Sequence, residues 1–171
     1  MNPNDEQKQQ LIFVPSLEEG PTYRVLSDLM SFPLGSTQTE GTFLLCFNQV
    51  PPQGEVAMHR QTAKETFIVW EGEIEFSTLS NGAITRFRAP RGAIVHVPEG
   101  VAHAYRNVSE IPASMLVLFM PAGQTEHFFA RLGVPVTDRT QPPPPAMPDP
   151  VLLQKLLKNS QVQIVPLPEE G

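Results

Sequence analysis

Residues 92 to 107 read Gly92-Ala-Ile-Val-His-Val-Pro98-Glu-Gly100-Val-Ala-His103-Ala-Tyr-Arg-Asn107 and satisfy every position of the spacing G-x5-P-x-G-x2-H-x3-N. Five fixed residues over sixteen positions constrain the fold far more than a lone glycine pattern does. The glycines and the proline form turns, because glycine accepts positive φ and proline ends strands. A second spaced run lies upstream, with Gly54, His59, Gln61, Glu65 and Gly72 in the order G-x4-H-x-Q-x3-E-x6-G. In a strand, residues two apart face the same side, so His59 and Gln61 are expected to project together, with Glu65 across a turn.

Between these runs and around them, short β-branched and aromatic stretches alternate with turn clusters. Thr42 to Val50, Thr66 to Glu71, Ile74 to Leu79, Ile84 to Arg88, Ala93 to Val97, Ala102 to Val108 and Ser114 to Met120 read as strands. That rhythm predicts an all-β, antiparallel sandwich or barrel. Ser80-Asn81-Gly82 is a hairpin signal, because Asn-Gly accepts positive φ at both central positions. Leu11 to Val14 and Tyr23 to Phe32 read as further strands that extend a sheet or reach a second subunit. Gln124 to Leu132 places Phe128, Phe129 and Leu132 on one helical face, with Gly133 where a left-handed C-cap would sit. Asp149-Pro150 offers an N-cap and first-turn proline to a second helix over Val151 to Lys158. Gln141 to Pro145 between them is expected to be an extended spacer. The chain thus divides into an arm over 1–40, a barrel core over 41–121 and a helical, proline-rich arm over 122–171, all within one domain.

Charge and composition narrow the function. A net charge of -6 argues against nucleic acid, which rewards clustered Lys and Arg. The lone cysteine, Cys46, excludes an internal disulfide framework and reads as a small buried apolar residue. The first ten residues lack the basic and apolar regions of a signal peptide, and the run Met115 to Met120 is too short to span a bilayer, so the expectation is a cytoplasmic protein without a membrane partner. Aromatic and aliphatic residues flank the spaced polar ones. Phe43, Leu45 and Phe47 share a strand face, Phe67 and Val69 share parity with Glu65, and Tyr105 shares parity with His103. These six are candidate walls of a cavity suited to a flat hydrophobic molecule. His96 reads as a hydrogen-bonded structural histidine and His127 as a surface or packing residue, while Arg60 and Lys64 point away from His59.

The two spacings resemble the paired motifs of cupins, G-x5-H-x-H-x3/4-E-x6-G followed by G-x5-P-x-G-x2-H-x3-N, with two departures: the first gap is one residue short and Gln61 replaces the second histidine. The resemblance implies a one-barrel, double-stranded β-helix (jelly roll) with two C-terminal helices. It implies a divalent transition metal (Fe, Mn, Ni, Co or Zn) held by His59, Gln61, Glu65 and His103, and a homodimer that pairs through N-terminal strands. Imidazole and carboxylate suit those metals. The amide of Gln61 is a weaker donor, and its other use is to hydrogen-bond a metal-bound water or Glu65. A plain ion pair between His59 and Glu65 is the competing account. The ordering of Tyr23 to Asp28, Glu65 to Phe76, Val97 to Val108 and Pro121 to Gly133 also looks like the bacterial quercetin 2,3-dioxygenase-like cupins. That likeness implies a small aromatic or enol-type ligand, with Glu65 as both ligand and general base. A non-catalytic small-molecule-binding cupin and a metal-dependent isomerase or epimerase are the alternatives.

Overall fold

The structure is a computed structural model that describes residues 11–167. Its elements are almost all strands: β1 (Thr22–Val25), β2 (Asp28–Leu34), β3 (Leu44–Val50), β4 (Glu55–Arg60), β5 (Lys64–Glu71), β6 (Glu73–Ser80), β7 (Ala83–Pro90), β8 (Ile94–Val97), β9 (His103–Arg106) and β10 (Ala113–Met120). Helix α1 (Thr125–Leu132), the short β11 (Val134–Pro135), helix α2 (Pro150–Asn159) and β12 (Gln163–Ile164) complete the order. Two antiparallel sheets face each other. One runs β11-β1-β2-β3-β10-β5-β8 and the other β12-β4-β9-β6-β7. Inward side chains alternate with outward ones along each strand. The core between the sheets includes Leu44, Cys46, Phe67, Ile74, Phe76 and Val117. This is a jelly-roll β-barrel: the strand rhythm predicts an antiparallel sandwich or barrel, and the cupin resemblance implies the jelly roll.

Local chemistry explains the turns. Ser80 pairs with Ala83, so Asn81 and Gly82 form a two-residue hairpin, with φ of 50° and 76°. The last residue of the second motif, Asn107, is fully buried. Its Nδ2 donates to Val50 O and Ile111 O, and its Oδ1 accepts from Ser109 N and Ser109 Oγ. The asparagine therefore fixes the loop before β10.

Three sequence expectations need correction. Leu11 to Val14 forms no strand, and Leu11 and Phe13 are exposed. Tyr23 to Phe32 is not one strand but the hairpin β1–β2, turned at Leu26 and Ser27, and it extends the sheet of its own chain. Gly133 is extended (φ −83°, ψ 157°) rather than left-handed. A Cβ there would lie 2.7 Å from Tyr23 Cβ, so glycine is needed for the close approach of α1 to β1. The second helix follows expectation: Asp149 Oδ1 accepts from Leu152 N at 2.9 Å, and Pro150 occupies the first turn. The stretch 142–149 has no regular element.

Candidate metal centre

The two histidines come from neighbouring strands of one sheet, and the carboxylate comes from the sheet facing them. His59 on β4 is directly opposite His103 on β9. A register shift between Val56 and His59 turns both Met58 and His59 into buried positions. Met58 packs with Ala102 and Val165, beneath the segment carrying β12, while His59 enters the barrel. Glu65 on β5 lies between Val97 and Phe119 of the adjoining strands. The donor atoms of His59, Glu65 and His103 all lie within 4.8 Å of one another, and all three residues are buried.

The hydrogen bonds orient the imidazoles. His59 Nδ1 contacts Ala57 O at 2.9 Å, and His103 Nδ1 contacts Val101 O at 3.0 Å. A carbonyl only accepts, so each Nδ1 carries the proton and each neutral ring presents the Nε2 lone pair to the barrel interior. His103 Nε2 sits 3.4 Å from Glu65 Oε2 without hydrogen-bond geometry, and it is a buried polar atom without a partner. A lone pair facing a carboxylate in a buried site calls for a cation or a proton between them. Burial, and then the neighbouring His103, hold His59 below the ordinary imidazole value. For His103, burial is the largest single influence and acts downward, but the contact with Glu65, its charge and the Val101 carbonyl together raise the imidazole above its ordinary value. Two neutral nitrogens and one carboxylate oxygen, with both rings locked by backbone carbonyls, fit a divalent transition metal.

Gln61 lies just past the end of β4, so it does not share a strand with His59 as the spacing predicts. It nevertheless lines the same cavity. Its side-chain amide makes a long 3.4 Å contact to Ala63 O, and its backbone oxygen accepts from Gly100 N at 2.8 Å, tying the first motif to the turn of the second. Phe67 and Tyr105 are on the cavity wall. Val69 is in the core but off that wall. Phe43, Leu45 and Phe47 are not cavity residues: they do share a face of their segment, but Leu44, Cys46 and Asn48 take the interior and leave them on the other side of the sheet. His96 Nδ1 meets Thr66 Oγ1 at 2.9 Å on the exposed side of β8, and His127 is exposed on α1. Arg60 and Lys64 are exposed as well.

The cavity lined by His59 and Glu65 has a volume of about 390 Å³, within the range of small-molecule sites. Its walls are mostly apolar, with Met30, Phe119, Phe128, Leu153 and Leu157 added to Phe67. Helices α1 and α2 thus close one side of it, a contribution visible in the sequence only as their apolar faces. A second polar group, missed by motif reading, also borders the cavity: Asp28, Asn48 and Tyr105. Tyr105 Oη donates to Asp28 Oδ2 at 2.6 Å, Asn48 Nδ2 donates to the same oxygen at 2.9 Å and to Tyr105 Oη at 2.9 Å, and Ser27 Oγ donates to Asp28 Oδ1 at 2.9 Å. No motif marks Asp28 or Asn48. Their only sequence signal is a polar residue at an inward position of a strand.

Comparison with known proteins agrees with this architecture. The Cupin domain family model matches residues 47–119. Among solved structures, oxalate decarboxylase from Bacillus subtilis, a protein with Mn(II) centers, is 20% identical over 62% of this chain and 28% of its own, with a TM-score of 0.53. Oxalate oxidase in complex with glycolate is 20% identical over 71% of this chain and 65% of its own, with a TM-score of 0.56. A CENP-C domain of Drosophila melanogaster is 16% identical over 57% of this chain and 70% of its own, with a TM-score of 0.50. The chain spans less than two thirds of the length of either oxalate enzyme. A search of the curated proteins finds no match. Both motifs, the family match over 47–119 and the shared arrangement of sheets give the barrel of this chain the cupin fold.

Proposed function

We propose that the chain binds a divalent transition metal through His59, Glu65 and His103 and receives a small, flat, largely apolar molecule in the adjoining cavity. The observation that carries this reading is the pair of Nδ1 contacts to backbone carbonyls, which aim both Nε2 lone pairs at one carboxylate and leave His103 Nε2 without a partner. Manganese, present in the Bacillus subtilis decarboxylase, belongs to the set of metals these donors suit. When bound, the metal would act as a Lewis acid on an enolate or phenolate oxygen. Glu65 is the buried carboxylate placed to take the proton of that hydroxyl as well as to serve as a ligand. Phe67, Phe119 and Phe128 exclude water and supply flat apolar walls. Such a site fits quercetinase-like oxygenase chemistry on an aromatic or enol-type substrate. Among the described residues, the cavity wall carries no Lys or Arg, which weighs against a sugar-phosphate substrate, since that would want several cations inside.

Gln61 favours a second reading. Its amide contacts Ala63 O and stands where cupins of this kind carry an imidazole, so the chain would hold metal more weakly and bind its ligand without turnover. Metal analysis of the purified protein, followed by oxygen uptake with a flavonol after reconstitution with Mn, Fe, Ni, Co and Zn, separates the two. Metal at one equivalent with flavonol-dependent oxygen uptake supports the oxygenase. Metal and flavonol binding without uptake supports the binding protein. Failure of every metal to bind overturns both.

A further inference from the structure

The polar group around Asp28 has one atom left open, and that atom belongs to a residue of the cavity wall. Both hydrogens of Asn48 Nδ2 are in use, one on Asp28 Oδ2 and one on Tyr105 Oη, each at 2.9 Å. Tyr105 Oη donates its own hydrogen to Asp28 Oδ2, and Ser27 Oγ donates to Asp28 Oδ1. These bonds fix the plane of the amide and turn Asn48 Oδ1 away from Asp28 and Tyr105. Among the described residues that oxygen has no hydrogen-bond partner, although Asn48 is only 1% exposed and lines the cavity. A buried amide oxygen without a donor is costly and uncommon in native interiors.

The chemistry of the group decides what can meet that oxygen. Its side-chain hydrogens are all donated within the group, so towards a ligand it can only accept. Among the described residues no Lys or Arg lines the cavity, and its two carboxyl side chains are Asp28 and Glu65. A carboxylate or phosphate placed here would meet lone pairs with no cation to offset them, whereas a neutral hydroxyl or N–H would complete the bonding. Position sets the length of the ligand. Tyr105 lies two residues beyond His103 on β9, and on β10 the partner of Asn48, Met115, lies four residues from the partner of Glu65, Phe119. At about 3.3 Å per residue the two polar ends are roughly 7 to 13 Å apart along the strands. Phe67 faces both, its ring 6.2 Å from that of His103 and 6.0 Å from that of Tyr105. A single ring is too short for that interval, and two or three linked rings suit it. We propose that Asn48 is a specificity-determining residue, whose Oδ1 accepts a hydrogen bond from a neutral hydroxyl or N–H at the far end of an elongated aromatic ligand. This rests on the reading of His59, Glu65 and His103 as the metal end of the same ligand.

Three probes test it in calorimetric titrations of the full chain, loaded with whichever of Mn, Fe, Ni, Co or Zn binds most tightly: kaempferol, kaempferol methylated at every hydroxyl except the one on its central ring, and unsubstituted flavonol. All three keep the central hydroxyl for the metal end, and only kaempferol carries donors on its outer rings. Kaempferol should bind at least about tenfold more tightly than either of the others. In Asn48→Ala that advantage should fall below about threefold, with the affinity for unsubstituted flavonol changed by less than about threefold. The effect is read as a ratio between probes on one protein, so a general loosening of the variant cancels, and the comparison on the unaltered chain decides the matter if the variant does not fold. Equal binding of all three probes overturns the role of Asn48 and leaves the metal end standing, as does an advantage that survives Asn48→Ala. If none of the three binds, the reading of the metal and cavity falls, and this inference falls with it.

Discussion

Two polar clusters border one apolar cavity, and they use their polar atoms in opposite ways. His59, Glu65 and His103 make almost no hydrogen bonds with one another; their side-chain bonds go outward, from each Nδ1 to a carbonyl two residues earlier, and their remaining donor atoms converge within 4.8 Å. Asp28, Asn48 and Tyr105 are closed. Each bonds the other two, and Asn48 Oδ1 is the atom left over. The amide cannot rotate to bury that oxygen against Asp28, because it would then face a carboxylate oxygen with a lone pair. The difference teaches what burial of polar groups is for in each place. An open cluster of buried donors requires something to fill it, whereas a closed one ties strands β2, β3 and β9 together.

Substitution should therefore separate ligand loss from stability loss. The largest effect is expected at the open cluster: His103→Ala or Glu65→Ala should weaken metal binding more than about 100-fold while leaving the fold intact, as metal analysis after gel filtration would show. Unchanged metal content in both variants would refute the centre. Next in size is the closed cluster. Asn48→Ala removes donors from a buried carboxylate and from Tyr105 and should cost about 2–3 kcal/mol in urea unfolding, with metal content unchanged. Loss of metal without loss of stability in that variant would erase the distinction between the clusters. Smaller still is Gln61→His, which restores an imidazole beside the open cluster and should tighten metal binding roughly tenfold in a competition titration with a chelator. If affinity does not change, residue 61 is directed by Ala63 O and not by the metal.

Motif reading found the open cluster and missed the closed one for a physical reason. His59, Glu65 and His103 stand at fixed distances from turn residues such as Gly72, Gly92 and Gly100, all with φ near 80°, so the resemblance of that spacing to the cupin motifs marks them. Asp28 and Asn48 stand in strands with no such punctuation, and their meeting with Tyr105 depends on the register of β2 on β3 and on which sheet β9 joins. The same limit explains the pocket candidates. Alternation groups Phe43, Leu45 and Phe47, but it carries no sign, and only the pairing of Cys46 with Val117 shows that the neighbouring set faces the core. A one-residue change of viewpoint exchanged wall for exterior. The strands, the Asn-Gly hairpin and the Asp149-capped helix were legible because each depends on contacts within a few residues. The cavity's helical side was not, because it arises where distant segments cover a sheet.

The smallest expected effect concerns the charge of the closed cluster. Burial holds the Asp28 carboxyl above its ordinary value, despite the opposing hydrogen bonds from Tyr105, Asn48 and Ser27 and the charge of Arg24. A carboxyl whose folded value exceeds its unfolded one binds its proton more tightly when folded. Its contribution to stability is thus fully present below the unfolded value and is lost as pH rises through the folded one. Asp28→Asn keeps an oxygen to accept from Tyr105 and Asn48 but cannot ionise. The stability of the variant relative to the unaltered protein should accordingly increase as pH rises from acid, and level off once Asp28 is ionised. Urea unfolding of both proteins from pH 4 to 8 measures this directly, since titrations common to the two cancel in the difference. A difference that stays flat across the range would mean that the three donors hold Asp28 ionised throughout, and the closed cluster would then be an anionic anchor rather than a site where burial dominates.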